Sequence, residues 1–252
     1  MSRITQRGAT GPLALQANGT FQTSTDASLE TLLGSRWDLS DGREVRLGQV
    51  ASGTTVVPGK IYQSAAVIAD HQNLATTAVQ AYSANGNVPA KVTATLGSTA
   101  VTANQYAGGF LIVNDATGEG QTLKIASHPA ADAAATCAFT LEDGPTTALV
   151  AATSEVSLQP ADGNAVIIMP TTATGAVFGA SLYNVAASAY AFFVTKGVTS
   201  VLGDGTLTIG SAVSCSNAVA GAVENGVIAQ GFVGTCAYTG VDTEYRAVIL
   251  NI

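Results

Sequence analysis

Charge is scarce in this 252-residue chain. Asp, Glu, Lys and Arg make up 11% of it, with 17 acidic and 10 basic residues and a formal net charge of −7, whereas about 25% is usual for globular domains. A nucleic-acid-binding protein needs a basic face to neutralise phosphates, so the acidic balance excludes that class of partner. Intrinsic disorder is excluded as well, because disordered chains combine high charge with few β-branched residues, and this chain is rich in Val, Ile and Thr.

Long apolar runs and cysteines are scarce too. The Ala-rich stretch 177–194 is interrupted by polar residues, so we expect no membrane span. The first basic residues are followed by only three consecutive apolar residues, which is too short for the core of a signal peptide. Three widely spaced cysteines, Cys137, Cys215 and Cys236, are expected to be free thiols of a protein made in a reducing cytosol.

Charge is also unevenly distributed along the chain. Residues 1–46 hold five basic and five acidic residues, so the whole net charge of −7 lies in residues 47–252. Residues 1–24 lack apolar periodicity and are rich in Gly, Thr, Gln and Asn. We therefore expect them to form an extended arm that becomes ordered only against something else.

Local signals predict the structure that follows the arm. Asp26 is an N-cap residue for a short helix that Gly34 ends, and Asp41-Gly42 is the turn of a hairpin. From about residue 48, short runs rich in Val, Ile and Thr alternate with turn residues, which is typical of strands. We predict an all-β fold, with short-stranded β-barrel or sandwich domains preceded by an extended N-terminal arm with a short helix. The predicted domains are 1–47 (arm, short helix and hairpin, forming a docking segment), 48–165 (middle β-domain) and 166–252 (C-terminal small β-barrel).

No motif for catalysis or metal binding is complete. The phosphate-loop candidate at 53–60 has five residues between its glycines instead of four, and Ile61 replaces the required hydroxyl residue. A nucleophile and base system needs a histidine, and we expect His71 in an exposed loop and His128 as a surface imidazole at a turn. Cysteines and histidines at zinc-ligand spacing are absent from the sequence. We therefore expect no enzyme activity, no metal and no cofactor.

The chain offers residues for association rather than for chemistry. Large neutral faces are normally covered by a partner, and Trp and Arg are the residue types that most often anchor interfaces. The only Trp of the chain, Trp37, lies in the charge-balanced N-terminal segment. Two interpretations of it stay open, a docking anchor or a plug at the bottom of a barrel. The candidate docking residues are Arg3, Arg7, Leu29, Leu33, Arg36, Trp37, Arg43 and Arg46.

Two parts of the sequence resemble virion proteins of tailed bacteriophages. Residues 199–213, 218–224, 228–234 and 242–250 are similar to the small β-barrel of capsid decoration (cement) proteins, with a Gly-Ala-Val-Glu segment and a final strand that ends the chain. Residues 102–121 resemble other phage virion proteins. The resemblance implies a non-enzymatic role: binding the outside of an icosahedral shell, often as a homotrimer, and bridging capsomers against internal DNA pressure.

These observations predict a structural virion protein on the outer capsid surface, assembled in the host cytoplasm. Its expected partners are the major capsid protein and further copies of itself, with no nucleic acid and no membrane. Two alternatives stay open: another virion component, such as a tail, baseplate or head-fibre protein, and a carbohydrate-binding adhesive β-module. Deletion of residues 1–46 is predicted to abolish attachment and to leave the β-domains folded.

Overall fold

A computed structural model describes residues 4–6, 16–17, 20–21, 23–39, 41–80, 89–226 and 231–252. The chain divides into two compact units, unit 1 (residues 1–66 and 162–252) and unit 2 (residues 67–161), so unit 2 is an insertion in the sequence of unit 1. Both units are built of β-strands, which confirms the predicted all-β fold class. Short 3-10 helices span Ala27–Leu32 in unit 1 and Ala69–His71 in unit 2.

Strands and turns alternate along the described chain. Unit 1 begins with β1 (Ile4–Gln6), β2 (Gln16–Ala17), β3 (Thr20–Phe21), β4 (Arg36–Leu39), β5 (Glu44–Gln49) and β6 (Ile61–Gln63). Unit 2 contains β7 (Leu74–Gln80), β8 (Lys91–Thr95), β9 (Phe110–Asp115), β10 (Thr122–Ser127), β11 (Thr136–Leu141) and β12 (Glu155–Gln159). Unit 1 then resumes with β13 (Ile167–Ile168), β14 (Val177–Ser181), β15 (Tyr190–Leu202), β16 (Ala212–Cys215), β17 (Val223–Asn225), β18 (Phe232–Cys236) and β19 (Tyr245–Asn251).

Unit 1 is organised around one large sheet. Its strand order is β1-β4-β5-β15-β19-β18-β16-β17, and β14 pairs with both β15 and β6, which in turn pairs with β13. The pairs along this path are antiparallel. Strands β2 and β3 form a separate two-stranded hairpin.

The long strand β15 lies at the centre of unit 1. Phe192 and Val194 belong to one apolar cluster of the core. Ala191 and Phe193, which alternate with them, belong to another, so this half of the strand is buried on both faces. A bulge shifts the register between Val194 and Lys196, and from Lys196 onward one face of the strand reaches solvent. The bulge therefore marks the place where the sheet ceases to be covered.

Unit 2 is a closed barrel with the strand order β10-β11-β8-β7-β12-β9, and β9 pairs with β10 to complete it. Buried and more exposed side chains alternate along β8, β11 and β12, as expected where one face of each strand points into a core. The interior is filled by large apolar side chains such as Leu111, Ile125, Phe139 and Leu158. Unit 2 thus has a core of its own.

Two local predictions are confirmed. The helix predicted after Asp26 forms as the 3-10 helix Ala27–Leu32, and Gly34 follows it with a φ of 74°. The hairpin predicted around Asp41 and Gly42 forms from β4 and β5, and Gly42 has a φ of 84°. Glycine adopts these left-handed conformations without the steric cost that a Cβ would bring.

The two units have bounds that differ from the predicted domains 1–47, 48–165 and 166–252. Residues 48–66 belong to unit 1 because β6 pairs with β13 and β14, which follow unit 2 in the sequence. Strands β4 and β5 are part of the unit 1 sheet, because β5 pairs with β15. The closed barrel lies within residues 67–161 and not within 166–252. Contiguous domains cannot describe a chain whose strands pair across an insertion.

Two described stretches of the predicted N-terminal arm pair with the large sheet of unit 1, whereas β2 and β3 pair with each other. Strand β1 pairs with β4, with Thr5 opposite Asp38. Ser24 exchanges two backbone hydrogen bonds with Tyr190, at 3.1 and 2.7 Å. Residues 4–6 and Ser24 are therefore ordered against the chain's own sheet.

Candidate interaction surface

The structure places the apolar docking candidates in the core of unit 1. Trp37 is 5% exposed, and its ring meets that of Phe192 edge-on with 5.0 Å between the centroids. Leu29 is buried in the same cluster, and Leu33 packs against it half-buried. Side chains that already fill a core are not free to anchor a partner, so the docking role predicted for Leu29 and Trp37 is corrected to a packing role.

Three arginine candidates, Arg36, Arg43 and Arg46, form ion pairs with carboxylates. Arg3 and Arg7 fall outside the described residues. The pairing of β4 with β5 brings Arg36 opposite Arg46. In each pair one side chain is mostly buried and the other is more exposed. The observed pairs are Arg36–Glu44 at 3.2 Å, Arg43–Asp41 at 2.6 Å and Arg46–Asp162.

Three adjacent strands of unit 1 present a partly apolar surface to solvent, with the exposed Lys196 at its edge on β15. On β15 and β19, Val198 lies opposite Ile249, and Ile249 lies opposite Thr235 of β18. Val198 is 53% and Ile249 is 46% exposed. Directly paired residues share one face of a sheet, and so do residues two apart along a strand. We call this surface the outer face; its members are Val198, Ser200, Thr235, Ala247 and Ile249.

A shallow cleft of about 480 Å³ continues the outer face at Val198. Asp41, Gly42 and Arg43 line it from the β4–β5 turn, and Gly197 lines it from the bulged part of β15. Gly197 has a φ of 96°, and a Cβ there would lie 2.9 Å from the Arg43 Cγ. Glycine at this position therefore lets Arg43 lie close to the sheet, where one predicted docking residue borders the outer face.

The two units differ in charge. Unit 1 has ten acidic and eight basic residues, and unit 2 has seven acidic and two basic residues. Most of the net charge of −7 thus belongs to residues 67–161. The outer face lies in the unit whose charges are nearly balanced.

A buried cluster in unit 2 contains both histidines of the chain. His71 Nδ1 lies 2.6 Å from the Tyr106 hydroxyl, and His71 Nε2 lies 3.0 Å from the Thr99 carbonyl oxygen. The Tyr106 backbone N–H donates to His128 Nε2 at 3.0 Å, and His128 Nδ1 donates to the Pro129 carbonyl at 2.9 Å. His71 is fully buried and His128 is 4% exposed. The prediction of an exposed loop and a surface imidazole is therefore wrong, because both rings bond to backbone groups of the core.

Burial also sets the chemistry of this cluster. It lowers the pKa of His128 and raises the pKa of the Cys137 thiol to about 11. Cys137 Sγ lies 3.9 Å from His128 Nδ1, and both side chains are buried. A reactive cysteine needs an accessible thiolate, and a general base needs contact with its substrate. The cluster therefore serves as a hydrogen-bonded part of the barrel core.

Within the ranges that the structure describes, no group of three or more His, Cys, Asp or Glu side chains is arranged to hold a metal ion. No helix in the described part of the chain is long and apolar enough to cross a membrane. Known protein families, curated proteins and solved structures were compared with the chain, and none of them matches it.

Sequence reasoning missed the outer face, although one signal for it is present. Residues 247–250 are four consecutive apolar residues in β19. Because successive side chains of a strand point to opposite faces, such a run places apolar groups on both faces of the sheet. Which face stays uncovered depends on long-range pairing and on the bulge in β15, and neither has a local sequence pattern.

Proposed function

We propose that this chain is a structural virion protein that binds the outer surface of a tailed-phage capsid and stabilises it by bridging capsomers. The observation that carries the proposal is the outer face, a partly apolar surface on three paired strands of unit 1. The stretches that resemble decoration proteins include parts of β15, β18 and β19, the strands that form this face. Its partners are the major capsid protein and, on the shell, further copies of the chain in a trimer.

The outer face suits a protein partner better than a small molecule. Small-molecule sites are concave, whereas the exposed face of a sheet is open. Covering the half-exposed side chains of Val198 and Ile249 contributes about 25 cal/mol for each Å² of apolar surface removed from water. The five members of the face carry no charge, so the ionised group that a covering partner meets on these strands is Lys196 at the edge of the face.

The acidic excess of unit 2 supports the same proposal. Surfaces of one charge sign repel each other and keep particles soluble. Unit 2, with seven acidic and two basic residues, is suited to stay in solvent. Unit 1 has nearly balanced charges, so covering it with a partner costs less desolvation free energy for unpaired charges.

Replacement of Ile249 by Lys tests the outer face. The substitution puts a charge at the centre of the face, where contact with a partner would desolvate it. Ile112→Lys is the matched control, because Ile112 is a partly exposed isoleucine of strand β9 in unit 2. We expect I249K to weaken binding by at least about tenfold, equivalent to about 1.4 kcal/mol, and I112K to bind as the unmodified chain does. The measurement is cosedimentation with capsids stripped of the protein.

The outcome for each variant decides a different point. Full binding by I249K shows that the outer face does not contact the capsid. Loss of binding by I112K alone shows that unit 2 makes the contact. Cryo-electron microscopy of the intact particle then gives the location. Density on the outer capsid surface supports the proposal, whereas density in the tail, baseplate or head fibres indicates another virion role. Saturable glycan binding without particle density indicates an adhesive module instead.

A further inference from the structure

Both histidines of the chain lie in the core of unit 2, and unit 1 contains none. Histidine is the side chain whose charge normally changes between about pH 5 and 8. His71 and His128 differ in the groups that their rings face. That difference separates a ring bonded to two fixed backbone groups from a ring bonded to one backbone group and one hydroxyl.

His128 is held in its neutral form by two backbone groups. Its Nδ1 lies 2.9 Å from the Pro129 carbonyl, which only accepts, so Nδ1 carries the hydrogen. Its Nε2 accepts the backbone N–H of Tyr106 at 3.0 Å. A proton on Nε2 would point at that N–H, which only donates and is fixed in the backbone. Protonation of His128 therefore requires the contact with Tyr106 to break.

His71 faces a group that can adapt. Its Nε2 lies 3.0 Å from the Thr99 carbonyl, and its Nδ1 lies 2.6 Å from the Tyr106 hydroxyl. A hydroxyl both donates and accepts, so rotation of the Tyr106 O–H keeps this contact whether or not Nδ1 carries a proton. His71 is therefore a matched control for His128 within the same network.

The neighbours of His128 add to the cost of charging it. Burial lowers the pKa of His128; the bond to Pro129 acts in the opposite direction, and the charge of a protonated His71 lowers the pKa further. The other titratable groups that face the ring are Tyr106 and Cys137. Burial raises their pKa values to about 12 and about 11, so both stay neutral in acid.

Asp70 is the carboxylate next to His71 in the sequence. Hydrogen bonds from the Ser98 and Thr99 hydroxyls, each at 2.6 Å, lower the pKa of Asp70 below its ordinary value. The stability that this ionised carboxylate contributes is lost only as the pH falls below about 4. A transition near neutral pH is therefore separable from the titration of Asp70.

We propose that proton uptake at His128 opens unit 2 under mildly acidic conditions while unit 1 stays folded. The unfolded chain binds this proton with a pKa of about 6.5, whereas the folded barrel excludes it. Stability is therefore complete above about pH 6.5 and falls as the pH decreases below that value. One proton bound on opening raises the ratio of open to closed unit 2 by about tenfold for each pH unit.

Cysteine labelling of the intact chain can follow the two units separately. Cys137 is buried in the core of unit 2, whereas Cys215 and Cys236 are buried in unit 1. Dithiodipyridine, which reacts with thiols in mild acid, is applied in pulses between about pH 7.5 and 5. The rate at each cysteine is divided by the rate at the same cysteine in the denatured chain. Fluorescence of Trp37, the only Trp of the chain, follows unit 1 at the same time.

We expect the normalised rate at Cys137 to rise by about tenfold for each pH unit below about 6.5. The rates at Cys215 and Cys236 are expected to stay constant. H71Q should keep this dependence, and H128Q, whose amide oxygen can accept from the Tyr106 N–H, should remove it. A constant rate at Cys137, a parallel rise at all three cysteines, or loss of the dependence in H71Q alone overturns the proposal.

A second measurement uses the unmodified chain and does not depend on whether the variants fold. The imidazole proton resonances of His128 in the unmodified chain are followed by nuclear magnetic resonance during acid titration. We expect them to keep their neutral chemical shifts until the signals of folded unit 2 disappear. A His128 ring that titrates inside an intact barrel contradicts the proposal.

Discussion

At the scale of single residues, Trp37 has the surroundings of a core side chain. Its ring packs against Phe192, and it shares an apolar cluster with Leu29 and Leu39. In the described part of the chain, its Nε1 has no hydrogen-bond partner. The residue therefore stabilises unit 1 through apolar burial and aromatic packing.

Truncation of Trp37 tests this packing role. Trp37→Ala should lower the free energy of unfolding by about 3 to 5 kcal/mol, as is usual for a buried aromatic side chain. Tyr238 is 68% exposed, and Tyr238→Ala should change that free energy by less than about 0.5 kcal/mol. Urea denaturation followed by circular dichroism measures both variants. A W37A chain that stays fully stable and loses capsid binding would return Trp37 to the docking surface.

The histidines illustrate what the sequence does not reveal at this scale. The Ser-His-Pro segment around His128 is typical of an exposed turn, and the polar residues after His71 are typical of a loop. Both rings are nevertheless buried, and they form hydrogen bonds with backbone groups of Thr99, Tyr106 and Pro129. Every residue has such groups, so the sequence carries no signal for these contacts.

At the scale of elements, local pairings are predictable and distant ones are not. The β4–β5 hairpin is predicted because its Asp-Gly turn lies between the two strands. The pairing of β5 with β15 places Val45 opposite Val194. It joins a strand that precedes unit 2 in the sequence to a strand that follows it. An apolar strand pattern predicts that a strand is buried, but it does not specify which distant strand covers it. The insertion of unit 2 could not be predicted for that reason.

This topology changes the expected result of N-terminal deletion. Removal of residues 1–46 deletes β4 and half of β5, and with them the core residues Leu29, Trp37 and Leu39. We expect that chain to lose the far-ultraviolet circular dichroism of unit 1. Removal of residues 1–22 spares these strands and should leave the spectrum and the resistance to proteolysis close to those of the full chain.

The shorter deletion is also the proper test of the arm. A chain that lacks residues 1–22, is folded and does not attach to capsids supports the arm as a docking element. Attachment at full occupancy shows that the arm is not required. If the chain without residues 1–46 remains folded, the assignment of β4 and β5 to the core sheet is wrong.

At the scale of the whole molecule, the low charge has a different distribution from the one that the sequence suggests. The neutral N-terminal segment and the C-terminal strands belong to one unit, which has ten acidic and eight basic residues, whereas the inserted unit has seven acidic and only two basic residues. The net charge is thus −2 for unit 1 and −5 for unit 2. Both histidines lie in the acidic unit, so acid is expected to affect that unit first.

The area of the outer face limits the stability of an interface that it can form. Three strands about 4.8 Å apart, with two rows of outward side chains about 6.8 Å apart, cover roughly 200 Å². A stable, specific interface takes about 800 Å² from each partner. The outer face alone therefore does not supply enough contact for a trimer in solution, and the shell has to provide the remainder.

We accordingly expect light scattering of the free chain at micromolar concentration to give the monomer mass of 25.2 kDa. Trimers are expected only on capsids, where contacts with the shell add to those between copies. I249K should have the same mass in solution and differ only in attachment. A stable trimer of the free chain would show that the copies join through a second and larger surface. Persistence of that trimer in I249K would place this surface away from the outer face, because a buried lysine at its centre would otherwise disrupt it.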